Sequence, residues 1–197
     1  MSPVSWILLA AALLVVFWAV GAFNRLTRLK NAIANAFGQI DVQLKRRYDL
    51  IPNLVEVARK YLAHEAQTLE AVIAARNQAR SAEQSAAASP LNAGAIGALA
   101  GAEQVLGGAL GRLMAVAEAY PELKADQTMR ELSEELASTE NRIGFARQAY
   151  NDHVLEFNDA AAQFPTLVVA RLFGFVPQAM LEATQSEAER QPVRVAF

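Results

Sequence analysis

The sequence predicts an all-α protein: one N-terminal transmembrane helix followed by an antiparallel four-helix bundle of long helices. Three observations carry this. Val4 to Phe23 are twenty consecutive residues without a charge. Beyond them apolar residues recur at spacings of three and four, and no stretch shows the strict alternation that a half-buried strand needs. Hydrophobic residues make up 53% of the 197, rich in Ala and Leu with only seven prolines, a mixture that suits helices.

The leading segment, "VSWILLAAALLVVFWAVGAF", would span about 30 Å as a helix, the thickness of a bilayer's hydrocarbon core. Trp6 lies near one end, where amphipathic rings prefer the interface, and Trp18 is deeper. A cleaved signal peptide competes, since Ala19, Gly21 and Ala22 suit a cleavage site. Against it, no Lys or Arg precedes the apolar run, and the run is long for a signal peptide's core. Residues 1–3 are therefore read as a short external N-terminus and 4–23 as a retained anchor. Arg25, Arg28 and Lys30 flank the C-terminal end of the span and no cation flanks the other. The positive-inside rule then puts the N-terminus outside and the main domain in the cytoplasm. These three cations are candidate membrane-interface residues.

Residues 24–164 carry the bundle. One apolar stripe runs from Leu26 through Ile33, Phe37, Ile40 and Leu44 to Tyr48, and a second from Ile51 through Val55, Ala58, Leu62 and Leu69 to Ile73. Leu99, Leu106, Leu113 and Tyr120 fall seven apart, and the fourth stripe runs from Met129 to Phe164 through Leu136, Ile143, Tyr150 and Phe157. Four amphipathic helices that must hide their stripes make a bundle. "SAEQSAAASPLNAG", residues 81–94, reads as a mobile small-residue link. Pro121 marks a short turn into the fourth helix, where Asp126 or Thr128 would cap, and Pro165 ends that helix.

"DVQLKRRYDLIPNLVEV", residues 41–57, raises the question of where the first helix stops. Asp49 fits an N-cap, which places Pro52 in a first turn where its missing N–H matters little. Lys45, Arg46 and Arg47 would then sit in the last turn of the preceding helix, favoured by its dipole and facing solvent. The unbroken apolar phase through Leu44, Tyr48, Ile51 and Val55 also fits a single helix kinked at Pro52. The turn is the expectation taken. Asp41, Lys45, Arg46, Arg47 and Asp49 form the candidate partner surface, with Asp41–Lys45 and Arg46–Asp49 spaced to pair.

The third helix has an unusual outer side. From Leu91 to Ala117 the only charges are Glu103 and Arg112. With Leu99, Leu106 and Leu113 turned to the core, Gly97, Gly101, Gln104, Gly107, Gly108 and Gly111 face away from it. An interior glycine costs a helix about 0.5–1 kcal/mol, so several of them outside the core suggest a surface built for close approach by another helix. These six residues are the candidate oligomer face. The apolar run at 165–177 contains Arg171 and is too short to span a bilayer. It either covers the bundle end near the anchor or lies in the headgroup layer with Leu172, Phe173 and Phe175 inserted. Residues 178–197 are expected to form a loose tail.

Chemistry has no visible seat. Cysteine is absent, which removes disulfides, thiolate metal sites and thiol nucleophiles. The His64-Glu65 pair lacks the second histidine of a zinc helix, and Tyr61 and Tyr150 stand where di-iron Glu-x-x-His motifs need glutamate. His153 reads as a core histidine bonded to a neighbour, and Asn151 and Asn158 as register-fixing amides beside the aromatic seam. Glu131, Glu134, Glu135 and Glu140 read as solvated surface. With 18 cationic side chains against 20 acidic ones there is no field for nucleic acid. No catalytic, cofactor or metal residue is assigned.

Three blocks together resemble the LemA family: "QIDVQLKRRYDLIPNLVEVARKYLAHE" from Gln39, "ENRIGFARQAYNDHVLEFNDAAAQFP" from Glu140, and "LFGFVP" from Leu172. The resemblance implies a bacterial inner-membrane protein with one span and a cytoplasmic four-helix domain, akin to a relative used in building magnetosome membranes. It implies no catalytic activity. The expectation for function is a non-enzymatic scaffold that self-associates and organises membrane. Its partners would be membrane lipid, further copies of itself and no nucleic acid. The alternative is an adaptor for a membrane protein such as a protease or signalling protein.

Overall fold

The computed structural model describes residues 3–181, in which no strand occurs. Among the described residues six helices follow one another: α1 Pro3–Arg59, α2 Ala66–Ala88, α3 Ala93–Ala117, α4 Pro121–Ala125, α5 Gln127–Ala162 and α6 Thr166–Leu172. At 1.5 Å per residue, α1 is a rod about 85 Å long. Much of its first part is exposed, Ile7, Leu14 and Phe17 among it. Ala22 is the first buried side chain among the described residues, and the stripe from Leu26 to Tyr48 is buried as its spacing requires.

The expected turn at Asp49 does not exist. α1 runs through Pro52 to Arg59 without interruption. A proline inside a helix strips the carbonyl four residues earlier of its donor, here that of Tyr48. Arg76, reaching over from α2, supplies the replacement: its Nε donates to the Tyr48 carbonyl oxygen at 2.9 Å. Ile51, Leu54 and Val55 are buried on the far side, so packing holds the rod where the proline weakens it. Lys45, Arg46 and Arg47 therefore lie mid-helix, not at a helix end. The real break falls at residues 60–65, where Lys60 and Tyr61 close short turns onto Val57 and Ala58 and buried Leu62 pins the bend. The second stripe is thus divided, Ile51 to Ala58 on α1 and Leu69 to Ile73 on α2.

The expected mobile link is largely helix as well. α2 continues to Ala88, with Ala79, Glu83 and Ala86 buried. Alanine is the best helix former, and its small side chain lets α2 and α3 pack closely. Only residues 89–92 connect them, and the Asn92 side chain caps α3 by accepting from the Ala95 N–H at 3.0 Å.

α5 runs antiparallel to α1. As the position on α1 rises, its partner on α5 falls in step: Phe37 faces Tyr150, Arg47 meets Glu140, and the Tyr61 hydroxyl donates to Asp126 at 2.9 Å. Asp126 caps α5 through the Met129 N–H at 2.9 Å, as its position suggested. The same carboxylate accepts from Tyr61, so one side chain ties the bend after α1 to the start of α5. The Met129 N–H and then Tyr61 hold its pKa below the ordinary value. Phe164, expected to end the buried stripe, is 84% exposed because α5 stops at Ala162. α1 is the spine of the bundle. α5 packs on one side of it and α2 on another, and α2 carries α3.

Candidate functional site

The cluster Lys45–Arg46–Arg47 is largely engaged in internal pairing. Arg46 reaches Glu135 on α5, its Nε at 2.9 Å. Arg47 is not on the solvated face expected for it: it is 4% exposed, with Nη2 3.0 Å from Glu103 of α3 and Nη1 on Glu140 of α5. The Tyr48 hydroxyl donates to Glu103 at 2.6 Å, and burial, then the charge of Glu103, raise the pKa of that hydroxyl. Lys45 holds Asp41 at 2.6 Å and stands 3.6 Å from Glu83 on α2. Burial, then a hydrogen bond and repulsion from Asp41, push the Glu83 carboxyl up to about 7. Burial also opposes ionisation of Asp41, but the Glu83 hydrogen bond and Lys45 outweigh it and keep its pKa low. Asp49 stays exposed, 4.0 Å from Arg76. Of the five candidate partner residues, Lys45, Arg46 and Asp49 reach solvent and Arg47 does not. The pairing of Glu103 and Glu140 with Arg47 escaped notice in the sequence because the partners lie far apart along the chain.

Asn151 and Asn158 do not fix helix register. Each holds the main chain of an extended strap that follows α6. Asn158 accepts from the Gln178 N–H at 2.8 Å and donates to the Gln178 carbonyl at 3.0 Å. Asn151 accepts from the Leu181 N–H at 2.9 Å and donates to the Leu181 carbonyl at 3.1 Å. Seven residues of helix rise about 10.5 Å, and three residues of extended chain cover about 10 Å, so the two rungs match. The Tyr150 hydroxyl donates to the Ala179 carbonyl at 3.2 Å, and burial pushes its pKa up to about 12. Residues 178–181, read as the start of a loose tail, are thus held in place. The remainder of that expected tail, 182–197, lies outside the described residues.

The outer side of α3 is disposed as its spacing requires. Leu99, Leu106 and Leu113 are buried, while Gly97, Gly101, Gln104, Gly107, Gly108 and Gly111 are exposed. A Cβ built on any of the five glycines would meet no atom within 4 Å. Nothing among the described residues therefore requires glycine there. Between this face and α5 lies a cleft of about 380 Å³, lined by Gly107, Gly108, Arg47, Glu103, Glu140 and Arg147 among others. The Arg47 Nε on its floor has no hydrogen-bond partner among the described residues.

At the anchor end, Arg25, Arg28 and Lys30 are exposed, and Arg25 and Arg28 share a shallow pocket with Glu156. α6 folds back against α1 here. Phe173 lies 5.0 Å from Phe23 between ring centroids, and Phe175 sits between Phe23 and Phe157 at 5.5 and 6.3 Å. Leu172 and Phe173 are exposed, as is Arg171, while Phe175 is half-buried. His153 is no core residue: its side chain is 42% exposed and stands 3.9 Å from Glu156. Among the described residues no group of three His, Asp or Glu is placed to hold a metal ion.

A long apolar lead helix running unbroken into a helical body defines a class, the membrane-associated all-α proteins. Within it the family is specific. The LemA family model matches residues 36–197, and the chain belongs to that family. Magnetosome protein MamQ of Magnetospirillum gryphiswaldense is 29% identical over 150 residues. Magnetosome proteins MamQ 1 and MamQ 2 of Paramagnetospirillum magneticum are each 30% identical over the same length. Each alignment covers 68% of this chain but 55% of the relative, so the chain spans little more than half the length of these relatives.

Proposed function

We propose that the protein is a non-enzymatic membrane scaffold whose helical domain associates with further copies through the outer face of α3. The anchor spans the bacterial inner membrane with its N-terminus outside, and Arg25, Arg28 and Lys30 mark the cytoplasmic side. The observation that carries the reading is the α3 face. This helix is apolar enough to cross a bilayer, yet only 28% of its most apolar stretch is buried within the monomer. Five glycines on its outer side weaken it by about 0.5–1 kcal/mol each, without any close approach among the described residues to justify them. A helix from a second copy, lying across Gly101 and Gly108, supplies that approach. Relatives named as magnetosome proteins lend support to a role in organising a membrane compartment.

An adaptor function is the second reading, favoured by the exposed Asp49 and the half-exposed Arg46 beside Lys45. Extraction from native membranes in mild detergent followed by mass measurement separates the two. The scaffold predicts a homomer, and stoichiometric foreign protein with a single copy of this chain contradicts it.

A further inference from the structure

We infer that α6 and the turn after it form a foot immersed in the bilayer leaflet on the bundle's side, giving the protein a second membrane contact besides its span. The inference rests on α1 crossing the bilayer and is independent of self-association. Phe164, Val168, Leu172, Phe173 and Val176 are 84, 57, 76, 56 and 62% exposed, an apolar patch of a kind that water-facing surfaces rarely carry. Val168 and Leu172 fall four apart on one side of α6 and Phe164 is exposed just before it, while Val169 and Ala170 are buried.

The level of this patch along the rod decides what covers it. Phe173 touches Phe23, the last residue of the uncharged segment, and an apolar recess between them reaches back to Val16, Ala19 and Val20. Phe173 therefore sits on the lipid side of Arg25, Arg28 and Lys30, which mark the headgroup layer. Water is not its neighbour if the span is embedded.

The backbone is prepared for such a place, where an unpaired N–H is expensive. The turn after α6 satisfies its own donors: the Phe175 N–H bonds the Ala170 carbonyl at 2.9 Å, the Phe173 N–H bonds Val169 at 3.0 Å, and Gly174 bonds Arg171 at 3.4 Å. This pattern needs a left-handed residue, supplied by Gly174 at φ +70°. Arg171 is exposed and long enough to return its charge to the headgroups. Position is held from behind, with Phe175 wedged between Phe23 and Phe157 and the strap gripped by Asn158 and Asn151. A foot pinned to the span at one level fixes the tilt of the rigid bundle above the membrane.

The test uses full-length protein in vesicles of phosphatidylethanolamine and phosphatidylglycerol containing brominated acyl chains, which quench tryptophan on contact. With Trp6→Phe and Trp18→Phe as background, Leu172→Trp places one reporter on the foot and Val105→Trp one on the bundle. Trp6→Phe alone leaves Trp18 to report on the span. Blue-shifted Leu172→Trp emission that loses most of its intensity to bromolipid, with Val105→Trp unaffected, supports the foot. Quenched Trp18 with an unquenched foot reporter overturns it while the span stands. Blue-shifted but unquenched emission means a second copy covers the patch, and that also overturns it. Val168→Trp, on the same side of α6, serves if Leu172→Trp misfolds.

Discussion

The passage of α1 through Pro52 depends on a donor supplied by another helix, and a double-mutant cycle measures that dependence. Replacing Arg76 with Ala removes the 2.9 Å bond to the Tyr48 carbonyl. A charged donor to a partly buried carbonyl contributes about 1.5–3 kcal/mol, because the orphaned oxygen has no other partner. Arg76 also stands 3.2 Å from Asn77 and 4.0 Å from Asp49, surface contacts of about 0–1 kcal/mol that persist in either background. In Pro52→Ala protein the residue 52 N–H returns to the Tyr48 carbonyl, so Arg76→Ala there should lose only those surface contacts. The surface contacts cancel, so the expected coupling is about 1.5–3 kcal/mol, read from urea unfolding of the detergent-solubilised full chain by circular dichroism. Equal losses for Arg76→Ala in the wild-type and Pro52→Ala backgrounds would refute the reasoning.

Two further outcomes follow from the geometry. Asn158→Ala deletes both main-chain bonds to Gln178, worth about 1–3 kcal/mol together, so amide exchange at Gln178 and Leu181 should accelerate about 10- to 100-fold; unchanged protection would show that the strap is held by something else. Glu83 keeps its proton to about pH 7 in the folded protein against 4.5 ordinarily, so its stabilisation is complete below about 4.5 and is lost as pH rises towards 7. Asp41 runs the other way: its lowered pKa stabilises the fold above the ordinary value of 3.8 and is lost in stronger acid. Glu83→Gln should therefore flatten the decline in thermal midpoint between pH 4.5 and about 7, and a decline as steep as in wild type would count against the Asp41–Glu83 pair.

Legibility followed distance along the chain. Stripes at three- and four-residue spacing located the buried faces of α1, α3 and α5, from Leu26 to Tyr48, Leu99 to Leu113 and Met129 to Phe157, because burial at i, i+3 and i+4 is local. The Asp126 cap was legible for the same reason. Helix ends decided by distant residues were not. Pro52 reads as a breaker until Arg76 is known to replace the lost donor, and residues 81–88 read as a link until Glu83 is seen buried against Asp41. Asn151 and Asn158 are legible as amides beside the aromatic seam, but their strap belongs to a segment that local pattern marks as tail. Arg47 looks like solvated charge because its carboxylates lie on α3 and α5. The outward set on α3 needed only the helical period, and its exposure follows from that.

The most direct test of the account uses the absence of native cysteine. Gly101→Cys or Gly108→Cys, each with open space for the new side chain, is placed in the full-length protein and oxidised in native membranes. Self-association through α3 predicts a disulfide-linked dimer at both positions and none for a cysteine on the far side of the bundle, at Arg142. Monomer alone at Gly101 and Gly108, with the protein folded and membrane-inserted, contradicts it.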